Sequence, residues 1–113
     1  MIRKETRIVN RLGLHARAAA QLVQLANKYT SKVRLVKFDQ TANAKTIMEV
    51  LMLGSANGEN LVVEAVGEDE AAAVEALVKL IDARFNEQEY QPDNYKMDEA
   101  VQDSYEFNDG VYE

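Results

Sequence analysis

The chain has no cysteine and no tryptophan, and only one proline and one histidine among 113 residues. Without cysteine there is neither a disulfide nor a thiol nucleophile, and one histidine does not make a zinc site, so disulfide scaffolds, thiol chemistry and structural zinc drop out together. That pattern fits a cytoplasmic protein. Long apolar runs are also missing. The opening Met1-Ile2-Arg3-Lys4-Glu5-Thr6-Arg7 lacks the roughly 7–15-residue apolar stretch of a signal peptide, and no segment approaches the ~20 residues that span a bilayer, so no membrane partner is expected. Positive charge is scarce overall, with a net charge of −6, but the deficit is uneven. Up to residue 85 twelve Lys and Arg face ten Asp and Glu, whereas from residue 86 a single lysine faces nine acids. A mildly basic body with a strongly acidic tail argues against nucleic acid as a partner for the whole chain.

What is present reads as one ordinary globular domain. The chain is 47% hydrophobic and 28% charged, and its length gives room for one modest core. Residues 1–86 form the expected domain and residues 87–113 an acidic extension. In the extension Tyr90, Tyr95, Tyr105, Phe107 and Tyr112 lie among acids and amides. A short helix within 97–107 is one reading of it, and a mobile, solubilising appendage is the other.

The single histidine lies in Gly13-Leu14-His15-Ala16-Arg17-Ala18-Ala19-Ala20. Gly13 can take the positive φ of a sharp turn, and the residues from Ala16 onward favour helix, so His15 is placed at a helix start. There the first amides lack intrahelical partners and the macrodipole favours an anion. The same field disfavours imidazolium, which keeps a ring lone pair for nucleophilic attack. Arg17 adds a planar fork of donors suited to phosphate oxygens. Nucleophile, cation and amides together suit the holding of a phosphoryl group. Taken as an isolated pair, however, His15 and Arg17 fit better as a helix-start histidine beside a solvated charge.

In chain order, the alternation from Arg3 to Val9 predicts a strand, with either face available for burial. The first helix is expected over 16–27, with Ala19, Leu22, Val23 and Ala26 as its apolar stripe. Lys32 to Phe38 and Thr41 to Ala44 read as a hairpin about Asp39-Gln40. Thr46 followed three residues later by Glu49 is the capping-box pattern, opening a short helix that Gly54 ends. Val50 and Leu53 of that helix can share the core, which turns Ile47, Met48 and Leu51 elsewhere. They form either a docking patch or a face buried by the helix's orientation. Asn57-Gly58 marks a turn before the most apolar strand, 60–66, which is expected to be central. A last helix follows over 70–84, with Ala71, Val74, Leu77, Val78 and Ile81 inward and a Glu75–Lys79 pair outside.

Residues 1 to about 85 resemble HPr, the histidine-containing phosphocarrier family of the bacterial phosphoenolpyruvate-dependent sugar phosphotransferase system. The resemblance rests on Gly13-Leu14-His15-Ala16-Arg17, on Ala44-Lys45-Thr46-Ile47-Met48 with Leu53-Gly54, and on Gly67-Glu68-Asp69-Glu70 before a final helix. It implies an α+β fold, an open-faced β-sandwich of order βαββαβα, with a four-stranded antiparallel sheet and three helices on one face. It also implies that His15 accepts phosphate from Enzyme I, as a pros-phosphohistidine, and passes it to a histidine of a IIA-type protein. Arg17 would steady the phosphoryl oxygens, and Ile47, Met48 and Leu51 would dock each partner in turn. Neither cofactor nor metal is required by the residues present, and a monomer is expected.

Two residues depart from the family pattern. Ala18 stands where the family usually has proline, so φ is not fixed in the first helical turn. Thr46 stands where many relatives carry a serine phosphorylated by HPr kinase/phosphorylase. Thr46 is therefore either a regulatory site or only a cap, and Glu49, where such relatives tend to have glycine, weighs against regulation. The acidic extension has no counterpart in the family; either it is a solvated tail, or it folds back over the basic rim near Arg11, Arg17 and Lys45 and competes with partners. Three rival readings stay open: a regulatory variant serving a nitrogen- or metabolism-sensing branch, an interaction module without chemistry, and a small enzyme using His15 as general base. The last lacks an accompanying nucleophile and orienting group.

Overall fold

The computed structural model describes residues 1–87. The expected helix within 97–107 and the folding back of the extension lie outside the described residues. Seven regular elements follow in the order β1 (Ile2–Arg7), α1 (Ala16–Ala26), β2 (Lys32–Lys37), β3 (Gln40–Asn43), α2 (Ile47–Leu53), β4 (Asn60–Val66) and α3 (Glu70–Asp82). The strands form one antiparallel sheet in the order β1-β4-β2-β3, so the apolar strand 60–66 is an inner one, as its composition predicts. The three helices cover one face of the sheet, α3 against β1 and β4, and α2 against α1 and β3. This is the open-faced sandwich expected from the sequence.

The core sits between sheet and helices. Leu61, Val63 and Ala65 of β4 and Val33 and Leu35 of β2 point into it, where they meet Ala18, Ala19, Leu22 and Ala26 of α1, Val50 and Leu53 of α2, and Val74, Leu77 and Ile81 of α3. The small residues of α1 allow that helix to approach closely. On the open face Glu64 of β4 lies opposite both Arg3 of β1 and Arg34 of β2. It pairs with both, at 3.4 and 2.6 Å, and its side chain is only 7% exposed.

Several local expectations are corrected. Phe38 is not a strand residue but a turn residue with φ 56°, and it is 89% exposed. In α3 Ala71 faces solvent and Ala73 takes its place in the core, and Glu75 and Lys79 do not approach to ion-pair distance. The predicted α2 capping box does not form. Thr46 is the N-cap residue but its hydroxyl makes no cap bond, and the Glu49 carboxylate instead accepts the Asn43 N–H at 2.8 Å. Asp69 likewise starts α3 without capping it. Its carboxylate accepts the N–H groups of Thr30 and Ser31 at 2.9 and 3.0 Å, and the Ser31 hydroxyl as well, tying the α1–β2 connection to the α3 start.

The last helix ends at Asp82 rather than 84 because the chain reverses hand. Arg84, Phe85 and Asn86 have φ of 60°, 54° and 58°, three successive left-handed residues. Such backbone costs a non-glycine residue about 1–2 kcal/mol. What holds it is Phe85, among the largest fully buried side chains and 2% exposed, together with bonds from Asn86 N–H to Ala83 O and from Glu87 N–H to Arg84 O, at 3.0 and 2.8 Å.

The Ser31 hydroxyl, followed by the Thr30 amide, lowers the Asp69 carboxyl from its usual 3.8 to about 2. A carboxyl held lower in the folded than in the unfolded chain contributes stability above its unfolded value, and that contribution is lost as the pH falls toward 2. Asp69→Asn should therefore be less stable than wild type at pH 6, with the gap closing between about pH 4 and 2. Urea unfolding across that range measures the effect.

Candidate functional site

The loop before α1 is built to deliver His15. Gly13 has φ +67°, and a Cβ there would lie 2.7 Å from the Ser55 carbonyl oxygen and 3.0 Å from Ala56 Cα. Only glycine fits, both for the left-handed backbone and for the approach to another backbone. The Leu14 N–H then donates to Ser55 O at 2.9 Å. Asn10, fully buried, donates through Nδ2 to Gly13 O at 2.7 Å, and Asn57 Nδ2 donates to Asn10 O at 3.0 Å. The opposing turn has its own brace. Glu59 accepts the Ala56 N–H at 2.7 Å and Lys37 Nζ at 3.3 Å, and the Ala56 amide more than the lysine lowers its carboxyl below the usual carboxylate range.

His15 emerges from this frame as the N-cap residue of α1, with extended backbone at φ −75° and ψ 178°. Its carbonyl accepts the Ala19 N–H at 2.8 Å, while its side chain makes no cap bond. Among the described residues the first-turn amides of Ala16, Arg17 and Ala18 thus have neither a helical partner nor a capping side chain, the condition in which a helix start welcomes an anion. Ala18 adds an N–H that proline at this position would lack. Its side chain is fully buried.

The ring is neither entombed nor free. Its side chain is 29% exposed at the edge of a cleft of about 410 Å³. Arg17, Ala18 and Gln21 of α1 line one side of the cleft with Leu12, and the left-handed turn lines the other with Phe85, Asn86 and Glu87. Arg17 is exposed, and its guanidinium has no hydrogen bond or ion pair among the described residues. The cleft therefore brings together the two residues that the sequence singled out. It also holds one that sequence reasoning missed. Glu87 Oε2 lies 3.2 Å from His15 Nε2. A carboxylate 72 positions away carries no local signal.

On α2, Ile47 and Met48 are 38% and 61% exposed, whereas Leu51 is half-buried and packs against the core. Met52, not singled out from sequence, is 79% exposed. With 3.6 residues per turn Met52 falls beside Met48, so α2 turns three large apolar side chains outward. Thr46 is half-buried at the start of α2.

A helix start without a side-chain cap, a histidine ring on it and an arginine with no partner among the described residues share one open cleft, a set of groups in a small α+β protein whose chemistry suits a phosphoryl group. The family model described as PTS HPr component phosphorylation site matches residues 2–83. The chain is 44% identical to phosphocarrier protein HPr of Cupriavidus necator over 89 residues, 79% of this chain and all of that protein. It is 35% identical to phosphocarrier protein NPr of Shewanella violacea over 86 residues, 76% of this chain and 94% of that one. The crystal structure of HPr-C-His from Thermoanaerobacter tengcongensis superposes with a TM-score of 0.76 at 40% identity, covering 79% of this chain and all of that one. The chain belongs to the HPr family of phosphocarrier proteins. Among the described residues no helix is long and apolar enough to cross a membrane.

The site depends on the close backbone contact at Gly13. Gly13→Ala should cost about 2–4 kcal/mol, from left-handed strain and the clash with Ser55 together. Chemical denaturation measures that loss, and the amide resonances of residues 14–17 should shift more than those of α3.

Proposed function

We propose that this protein accepts a phosphoryl group on His15 from the phosphohistidine of Enzyme I and passes it to a histidine of a IIA-type protein. It would act as a monomeric, cytoplasmic, stoichiometric carrier with no metal or cofactor. The observation that carries the reading is the shared cleft of His15 and Arg17 at the uncapped start of α1. Transfer between two ring nitrogens needs alignment for in-line displacement and compensation of charge on the phosphoryl oxygens, and little else from the protein. The α1 amides and Arg17 supply that compensation. Ile47 and Met48, with Leu51 behind them, offer both partners the same apolar surface, and Met52 widens it. Incubation with phosphoenolpyruvate and Enzyme I should give acid-labile, base-stable label on wild type and none on His15→Ala. Absence of label on wild type overturns the proposal.

The likeness to an NPr favours a second reading, in which the same His15 chemistry feeds a regulatory branch instead of sugar uptake. Thr46 is a proposed control point in either case. A phosphate on its hydroxyl would sit at the start of α2 beside the docking patch, favoured by the helix end yet changing the patch's charge. HPr kinase/phosphorylase with ATP should label wild type but not Thr46→Val. An unlabelled wild type reduces Thr46 to a helix-start residue.

A further inference from the structure

We propose that Glu87 is a positioning residue for the His15 ring, selecting the nitrogen that accepts the phosphoryl group. The inference rests on the carrier reading of His15 and goes beyond it, since Glu87 lies outside the span of the family match, residues 2–83. A carboxylate can only accept a hydrogen bond, so the 3.2 Å contact between Glu87 Oε2 and His15 Nε2 requires the ring proton to be on Nε2. In the neutral ring the lone pair is then on Nδ1, which has no hydrogen-bond partner among the described residues.

The step balances on these atoms. The Nδ1 lone pair forms a bond to the phosphorus of the incoming phosphohistidine while the donor's P–N bond breaks, its electron pair returning to the donor ring. The accepting ring, bonded to phosphorus at Nδ1 and to hydrogen at Nε2, then carries a positive charge. The Glu87 carboxylate already faces that N–H, so the charge develops against a fixed counter-charge. A buried carboxylate beside a histidine orients and stabilises the ring in the same way in hydrolytic triads.

The placement is built into the fold. The Glu87 side chain is 17% exposed, and the three left-handed residues before it, anchored by buried Phe85, aim it at the ring. Backbone in sparsely populated conformations gathers where side chains must be held for function.

The test uses the full chain, Glu87→Ala and Glu87→Gln. Nitrogen-15 spectra of the unphosphorylated ring at alkaline pH report the tautomer, and transfer from phosphorylated Enzyme I reports the rate. Wild type should hold the Nε2–H form. Glu87→Ala should lose about tenfold in tautomer preference and about tenfold in acceptance rate, the loss of one charge-assisted bond. Glu87→Gln, which still accepts the hydrogen but lacks the charge, should keep the tautomer and slow transfer by less. If wild type and Glu87→Ala show the same tautomer ratio, or wild type holds the Nδ1–H form, the inference falls. The tautomer measurement needs no phosphoryl donor, so an unlabelled wild type would overturn the carrier reading while leaving this result to be judged alone.

Discussion

The backbone of Gly13 lies against the carbonyl of Ser55 at a separation that no residue with a Cβ could reach. This contact fixes where α1 begins, because the Leu14 N–H is spent on Ser55 and the next residue is already the N-cap. Two amide side chains hold the same junction, the buried Asn10 from within the loop and the exposed Asn57 across it. The His15 ring thus stands on a joint between segments about forty residues apart, with neither α1 nor α2 positioning it alone. A rigid support of this kind limits how far the ring can move against the helix start.

Among the described residues no side chain caps the amides at the α1 start. A serine or aspartate in place of His15 would cap the helix and add stability, since capping contributes about 0.5–2 kcal/mol. His15 makes no such bond. The helix start is left without a capping acceptor among the described residues.

The elements were legible because their signals are local. Strand alternation, the stripes of α1 and α3, and Gly54 as the stop of α2 all fall within a few residues of what they specify. His15, Arg17 and the exposure of Ile47 and Met48 were legible for the same reason. What escaped depends on contacts across the chain. Glu49 reaches back to Asn43 rather than closing a box with Thr46. Asp69 serves a loop 38 positions earlier. Glu87 meets His15 only because three residues turn left-handed, and Arg84-Phe85-Asn86 holds no glycine to announce it. Ala71 and Ala73 are both alanine, so only the angle at which α3 settles on β1 and β4 decides which is buried.

The open face of the sheet carries a consequence for how the outer strand finds its place. Glu64 is clasped by Arg3 on one side and Arg34 on the other. Side chains alternate faces along a strand, so the one-residue slide of β1 that sets Ile2 opposite Glu64 would carry Arg3 to the helix side and leave a shielded carboxylate with half its counter-charge, whereas the opposite slide would offer it Lys4 in place of the arginine fork. β1 has only one neighbour in the sheet, and its helix-side residues Ile2 and Lys4 are exposed rather than packed. Hydrophobic pattern therefore says little about its alignment. The arginine clasp acts as a ratchet tooth, firm against a slide of this edge strand toward Ile2 and weaker against one toward Lys4.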